Sequence, residues 1–328
     1  MNDLQAGWIL LVFFVCALGC CWLALHYARR FQLVDHPGER RSHRVATPRG
    51  GGAGIVASLL LATLIGALVL PAWRLELLVF GLALVLVAGI GWWDDHRPLP
   101  ALTRLLVHML AGGLLAALVW RDGAGLVWSL AAFALTVGLI NIWNFMDGIN
   151  GLAVSQAGLV ALVMGYWLPG GLASSAWLVA LACLAFLPFN FPRARIFLGD
   201  VGSGALGLLM ACLTILVVRR SENVQPLVAL WPMSVFLIDA GFTLLTRICR
   251  GDRWMQAHTE HLYQWYIKSG ATHAAVTLSY GLITLLLMAA AMLMAGESLG
   301  RAVVASLLLW GAGVLIWKWR RSALIDAG

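Results

Sequence analysis

Asp94 and Asp95 stand side by side after an apolar run that ends in Gly-Ile-Gly-Trp-Trp. Two adjacent carboxylates repel each other unless a cation or a partner lies between them. Hard cations such as Mg²⁺ prefer oxygen ligands and complete their shells with water and phosphate oxygens. The competing reading is a solvated helix end paired with Arg97. Asp200, in the segment FLGDVGSG, is a further acid among small residues at the expected start of a helix. A helix N-terminus favours negative charge and suits both a metal-binding carboxylate and an approaching phosphate, although Asp is also a common N-cap. Between them, NIWNFMDGING spaces Asn141, Asn144 and Asp147 three residues apart, with Asn150 following. A helix puts residues at that spacing on neighbouring turns, and Gly148 and Gly151 permit a tight backbone and close approach of a ligand. Side-chain amides with one acid can read a base and ribose or hold the water shell of a metal. They can also bond one membrane helix to another.

Four more groups extend the list. Asn190 ends the apolar run before Asp200 and is placed to hydrogen-bond into the same region. The first polar loop contains TPRGGG, in which consecutive glycine N–H groups beside Arg49 suit a phosphate. Thr47, Arg49 and His43 are its candidate site residues, and the other arginines of that loop serve as membrane-side anchors. His258 and His261 in HTEH lack the further ligands of a zinc site and any HExxH pattern. They are either phosphate contacts or part of a solvated loop. Asp239 lies deep in an apolar run, where an acid must face the bundle interior, and a structural polar contact is the favoured reading.

The elements that must position these residues follow from composition. Of 328 residues, 61% are hydrophobic and only 11% charged, and mean hydropathy is +0.87. Soluble domains average about 45–50% apolar and about 25% charged. The apolar runs are continuous rather than alternating, which excludes an outer-membrane barrel. The fold class is therefore all-α: a polytopic membrane protein, one domain over residues 1–328, with about eleven spans. These are placed at 8–28, 51–71, 75–93, 101–120, 125–145, 151–168, 171–190, 201–218, 226–246, 274–295 and 301–318. The first run ends in HYARR and is expected to be a retained span rather than a cleaved signal. The six cysteines lack metal-ligand spacing and are expected to pack as small residues.

Seventeen of the 22 Lys and Arg residues fall in alternate connections and the C-terminus. The positive-inside rule makes that side cytoplasmic and the N-terminus external, periplasmic in a Gram-negative cell. It also accounts for the net charge of +7 without nucleic acid. Five polar clusters, at 35–52, 94–97, 141–151, 190–204 and 250–264, all fall in odd-numbered connections between spans, so they share the cytoplasmic face. Polar residues kept only for solubility would not segregate in this way.

Together these residues resemble the polyprenyl-phosphate N-acetylhexosamine-1-phosphate transferases. The resemblance is carried by Asp94-Asp95, N-x-x-N-x-x-D-G-x-N-G from Asn141 to Gly151, F-L-G-D-x-G-S from Phe197 to Ser203, the late histidine pair, TPRGGG, and Pro232 through Asp239 to Arg247. It implies catalytic roles for Asp94, Asp95, Asp200, His258 and His261. It implies Mg²⁺, or Mn²⁺ in its place, on Asp200 with Asp94 and Asp95. Thr47, Arg49, Asn141, Asn144, Asp147, Asn150, Asn190 and Phe197 would bind substrate, and the histidines would contact the pyrophosphate. The expected reaction moves an N-acetylamino sugar 1-phosphate from a UDP-sugar to undecaprenyl phosphate and releases UMP. The site would face the cytoplasm from a bacterial inner membrane.

Two departures bear on the branch. The histidine cluster has two members where the best-known branches often have three, and Arg97 stands where the peptidoglycan branch carries Lys. The chain also lacks that branch's extra loops, which favours the short transferases that initiate O-antigen and lipopolysaccharide side chains. The peptidoglycan and common-antigen branches are the alternatives within the superfamily. A homodimer is allowed. A CDP-alcohol phosphatidyltransferase would need D-G-x-x-A-R, which Asp147-Gly148 does not lead into. A secondary transporter would place polar residues near mid-bilayer in repeated halves, and only Asp239 fits.

Overall fold

The computed structural model describes residues 3–35, 45–252, 256 and 258–326. His43 lies outside them. The long elements are helices α1 (Asp3–Arg30), α2 (Gly52–Val69), α3 (Arg74–His96), α4 (Ala101–Arg121), α5 (Gly125–Phe145), α6 (Leu152–Trp167), α7 (Ala173–Asn190) and α8 (Asp200–Arg220). After a single turn, α9 (Pro226–Ala229), come α10 (Ser234–Cys249), the short α11 (Leu262–Lys268), α12 (His273–Met294) and α13 (Leu299–Asp326). Hydrocarbon offers the backbone no water, so each N–H and C=O must bond within its own segment, and helices satisfy that requirement.

Every expected span is helical, but the count of eleven needs correction. Ten segments among the described residues are long and apolar enough to cross a membrane. The expected sixth, α6, has only 16 residues, about 24 Å at 1.5 Å per residue. That is short of the ~30 Å hydrocarbon core. It starts directly after the glycine loop at 148–151, which belongs to the site. The expected span 226–246 is also broken. A 3₁₀ turn, Trp231–Met233, separates α9 from α10, because Pro232 supplies no N–H to a continuing helix.

The hub is α8, with 78% of its span buried, against 11% for the peripheral α13. A helix that is apolar all round belongs in the interior, and α8 packs on α2, α3, α5 and α6. Its N-terminus approaches α3 so closely that a Cβ on Gly91 would sit 2.3 Å from the Asp200 carbonyl oxygen. Backbone cannot yield as a side chain can. Gly91→Ala should therefore spread α3 from α8, cost about 1–3 kcal/mol as an overpacking change, and lower turnover about 100-fold through misplaced carboxylates. Thermal melting in detergent and an activity assay check this; normal values for both would show that the contact does not set the site.

The first polar loop is held by backbone pairing. Strands β1 (Val34–Asp35) and β2 (Thr47–Pro48) pair antiparallel, Val34 with Pro48 and Asp35 with Thr47. The Phe197 N–H donates to the Pro48 carbonyl at 2.8 Å, Gly51 N–H to the Phe197 carbonyl at 2.9 Å, and Gly52 N–H to the Leu198 carbonyl at 2.8 Å. These bonds lay TPRGGG against FLGD, although about 150 residues separate them in sequence.

Candidate active site

One polar cavity of about 250 Å³ draws on all five clusters. The first loop supplies Asp35 and Arg49, and the end of α3 supplies Asp94 and Asp95. Asp147 to Asn150 come from the α5–α6 turn, and Asn190 and Phe197 to Asp200 from the α7–α8 connection. Gln264 of α11 and His273 of α12 complete the wall. The clustering expected from alternate connections is thus a single pocket at one end of the bundle.

The two neighbouring aspartates do different work. Asp95 is 5% exposed and caps α8 from another helix. Its Oδ1 accepts the Asp200 N–H at 3.0 Å and its Oδ2 accepts the Val201 N–H at 3.1 Å. Arg49 pairs with the same carboxylate, Nη2 to Oδ1 at 3.0 Å, and also donates to the Asp94 carbonyl. Helix N-termini leave N–H groups without intrahelical partners, and Asp95 supplies acceptors for two of them. Asp94 instead turns toward Asp200. Its Oδ1 accepts the Leu99 N–H at 2.6 Å, while its Oδ2 faces Nη1 of Arg104 at 3.3 Å. The same Nη1 is 2.7 Å from Asp200 Oδ2. Asn144 donates to Asp200 Oδ1 at 2.9 Å and to Ser203 Oγ at 3.0 Å.

The amides divide in a similar way. Asn190 accepts the Gly151 N–H at 2.7 Å and donates to the Ile196 carbonyl at 2.9 Å, clamping two site loops together. Asn150 donates from its side chain to the Pro192 carbonyl, and its own carbonyl accepts from Thr277. Asn141 turns away from the cavity and donates to the Val137 carbonyl one turn back. Thr47 is buried in β2 and donates to the Val45 carbonyl; it positions Arg49 through the strand rather than lining the pocket. Asp147 lines it, and burial, with Asp200 and Asp95 facing it, pushes its carboxyl well above the usual range. A protonated carboxyl can donate a hydrogen bond.

His258 and His261 lie beside the cavity rather than in its wall, with ring centroids 4.8 Å apart. His261 begins α11, forming a capping box with Gln264, and its ring stacks near Phe145 and Tyr263. Tyr263 donates its hydroxyl to the Phe145 carbonyl at 3.1 Å. Gly148 makes room for this, since a Cβ there would lie 2.1 Å from that hydroxyl. Asp239, 2% exposed, anchors the segment. It accepts from Leu262 N–H at 2.7 Å, Tyr263 N–H at 3.2 Å, Tyr280 Oη at 2.8 Å and Trp317 Nε1 at 3.2 Å. Asp239 thus caps α11 as Asp95 caps α8. Glu260, bonded to Arg247, Arg250 and Arg321, ties the same loop to α10 and α13. Burial alone would raise its carboxyl, but Arg250 and Arg247 hold it below the ordinary value.

Burial, with His261 and Arg247 nearby, lowers His258 to about 4, and burial lowers His261 as well. Both are neutral imidazoles at neutral pH, so they present N–H donors rather than fixed positive charge. For His258 the sign is definite. Between the unfolded value near 6.5 and the folded value of about 4, the unfolded chain binds a proton that the folded chain refuses. Stability falls as pH drops through that window. The melting temperature in detergent should decline from pH 6.5 to 4, and His258→Asn should make that decline shallower. An unchanged slope would count against the neutral ring.

Among the described residues no group of three or more His, Cys, Asp or Glu side chains forms a ready metal cage. The donors do fit a hard cation of the Mg²⁺ type. Asp94 and Asp200 are oxygen donors within reach of one guanidinium nitrogen, and such ions normally draw their other ligands from water and substrate phosphates. Asp95 has both oxygens engaged by α8. Four residues of the centre were not among the expected ones. Arg104 stands near a span end, where an arginine reads as a positive-inside charge, and Asp35, Gln264 and His273 carry no local pattern to mark them.

A bundle of membrane-length helices with an acidic and amide-lined pocket at one end has the architecture of an integral membrane enzyme. Residues 77–218 match the model of glycosyl transferase family 4. The chain is 30% identical over 304 residues to the decaprenyl-phosphate N-acetylglucosaminephosphotransferase of Mycobacterium tuberculosis, covering 76% of this chain and 73% of that one. It is 26% identical over 294 residues to the undecaprenyl-phosphate alpha-N-acetylglucosaminyl 1-phosphate transferase of Yersinia pestis, covering 83% and 80%. It is 33% identical over 247 residues to the phospho-N-acetylmuramoyl-pentapeptide-transferase of Moorella thermoacetica, covering 63% and 74%. The chain belongs to the polyprenyl-phosphate N-acetylhexosamine-1-phosphate transferases of glycosyl transferase family 4, and it is a glycosyl-1-phosphate transferase.

Proposed function

We propose that the protein transfers an N-acetylamino sugar 1-phosphate from a UDP-sugar to undecaprenyl phosphate, releasing UMP, as the first membrane step of an O-antigen or lipopolysaccharide polysaccharide. The observation that carries this reading is the convergence of Asp94, Asp200 and Asn144 in a pocket built from five connections. The distribution of Lys and Arg supports a pocket on the cytoplasmic side of the bacterial inner membrane, where a soluble nucleotide sugar would meet a phosphate carried by lipid.

In the reaction, an oxygen of the lipid phosphate forms a bond to the β-phosphorus of the donor. The bond from that phosphorus to the bridging oxygen breaks, and UMP leaves with the electron pair. Both reactants are anions, so charge neutralisation and alignment dominate. A bound Mg²⁺ supplies Lewis-acid neutralisation of the diphosphate; Asp200 and Asp94 would hold it. Arg49, in the pocket wall, adds fixed positive charge. A phosphate monoester has a second pKa near 6, so the attacking oxygen is already ionised at neutral pH and no strong base is required. Asp94 therefore serves as a ligand and orienting group before it serves as a proton acceptor. Asn150, Asp147 and Phe197 are positioned for the nucleotide. A cavity of about 250 Å³ is below the ~300–1,000 Å³ of typical small-molecule sites. It suits the diphosphate, with the rest of the donor extending over the rim. Neutral His258 and His261 would donate to the pyrophosphate from the side.

The test is purified protein with undecaprenyl phosphate, Mg²⁺ and a panel of UDP-N-acetylamino sugars, followed by UMP release and mass analysis of the lipid product. UDP-N-acetylglucosamine, UDP-N-acetylfucosamine and UDP-N-acetylquinovosamine belong in the panel. UDP-N-acetylmuramoyl-pentapeptide belongs there too, because of the similarity to the Moorella enzyme. Turnover of the pentapeptide donor alone would move the protein to the peptidoglycan branch; no turnover of any donor would defeat the proposal.

A further inference from the structure

We infer that Arg104 is a built-in counter-ion of the acidic centre, a positioning residue that holds Asp94 and Asp200 together in the free enzyme and yields Asp200 to the divalent cation. The inference rests on the transferase reading above in requiring such a cation.

The bonding of the two carboxylates carries it. Each has one oxygen fixed by a neutral donor: Leu99 N–H on Asp94 Oδ1 at 2.6 Å, and Asn144 Nδ2 on Asp200 Oδ1 at 2.9 Å. Each turns its other oxygen to the same guanidinium nitrogen, Nη1 of Arg104, at 3.3 and 2.7 Å. A single cationic atom lies between two carboxylate oxygens, and these are the two acids that would hold a divalent cation. Because Leu99 and Asn144 keep their bonds, both carboxylates stay oriented when the arginine leaves. Asn144 is itself held by Ser203 at 3.0 Å. Asp95 offers a contrast, with both oxygens engaged by the N–H groups that start α8 and nothing exchangeable.

Arg104 is suited to move. It reaches the centre from α4, its side chain is 28% exposed, and its stem is long and flexible. One turn along α4, His108 is buried beside Asn141, and among the described residues its Nδ1 has no hydrogen-bond partner. Residues four apart share a helix face, so that nitrogen lies on the same face of α4 as Arg104. Without the arginine, two carboxylates would face each other at close range in a pocket of low effective dielectric. With it the free site is neutralised, and a divalent cation must compete with a charge already in place.

The test measures Mn²⁺ binding by electron paramagnetic resonance on the full-length protein in detergent, with no sugar nucleotide or lipid, for wild type, Arg104→Met, Arg104→Gln and Arg104→Lys. Removing the charge should tighten Mn²⁺ binding at least about tenfold in the Met and Gln variants, while Lys keeps the wild-type value within about threefold. In turnover assays the half-saturating metal concentration should fall in the same two variants and kcat should drop, with Lys restoring part of it. Equal or weaker Mn²⁺ binding in a folded Met or Gln variant, or no binding by any of the proteins, overturns the assignment. Two uncharged variants guard against one that fails to fold, which a melting curve reports. Mn²⁺ binding needs neither substrate, so an inactive donor panel would count against the transferase reading alone.

Discussion

Asp200→Asn should reduce turnover by about 10²–10³-fold or more while leaving the bundle folded, a loss comparable to deleting a preorganised charge-stabilising group. The side chain begins α8 within hydrogen-bond reach of both Asn144 and Arg104. An amide preserves its volume and can still accept from Asn144, so the fold loses little. Removing a negative charge from a helix N-terminus costs only about 0.3–1 kcal/mol at a partly exposed site. What is lost is the anionic oxygen that Arg104 shares with Asp94, where the proposed cation would be held. Turnover and thermal melting on one preparation separate these effects. Activity within threefold of wild type would remove Asp200 from the centre.

The second large effect concerns stability. Asp95→Ala should cost about 3–5 kcal/mol, the usual loss when one partner of a buried ion pair is removed. Arg49 loses its carboxylate, and the N–H groups of Asp200 and Val201 lose their acceptors in a buried setting. Each orphaned group adds a desolvation penalty of about 1–3 kcal/mol. We expect poor recovery from membranes, a lowered melting temperature and new protease sensitivity near the start of α8, with activity falling as a consequence. Asp95→Asn, which keeps an acceptor oxygen but no charge, should fall between. A stable but inactive Asp95→Ala protein would contradict the capping role and return Asp95 to the reacting groups. The two aspartates are adjacent in sequence, yet the expected signatures of Asp95 and Asp200 differ: one change unfolds, the other silences.

That difference marks the limit of what the sequence displays. The spans were legible because hydrocarbon demands long apolar helices, and nearly every boundary carries Gly or Pro. The shared pocket was legible because five polar clusters occupy alternate connections, and alternate connections share a side. Asn144, in the last turn of α5, and Asp200, at the start of α8, were legible as residues of one end of the bundle, though their contact was not. The division of labour between Asp94 and Asp95 did not show. It depends on which carboxylate turns toward the first N–H groups of α8, a helix that starts 105 residues later. Arg104 was hidden for the same reason, since its partner Asp200 is 96 positions away, and an arginine near a span end reads as an anchor. Asn141 shares the spacing of Asn144 and Asp147 but bonds its own helix; periodicity identifies a face without showing what that face meets. The short α6 was read as a full span because its expected limits, 151–168, match the helix to within a residue at each end, and an apolar run of that length is at the lower bound for crossing.

The central claim is that the Asp94–Asp200 centre drives displacement at the β-phosphorus of a UDP-sugar by a lipid phosphate. It is tested most directly with donor labelled with ³²P at the β position, incubated with Mg²⁺, undecaprenyl phosphate and either wild-type or folded Asp200→Asn protein. Wild type should carry the label into the organic phase as sugar-phosphoryl lipid while unlabelled UMP appears in water, and the variant should leave the label with the nucleotide. Label released as UDP or inorganic phosphate, or reaching lipid at the wild-type rate in the variant, would contradict the account.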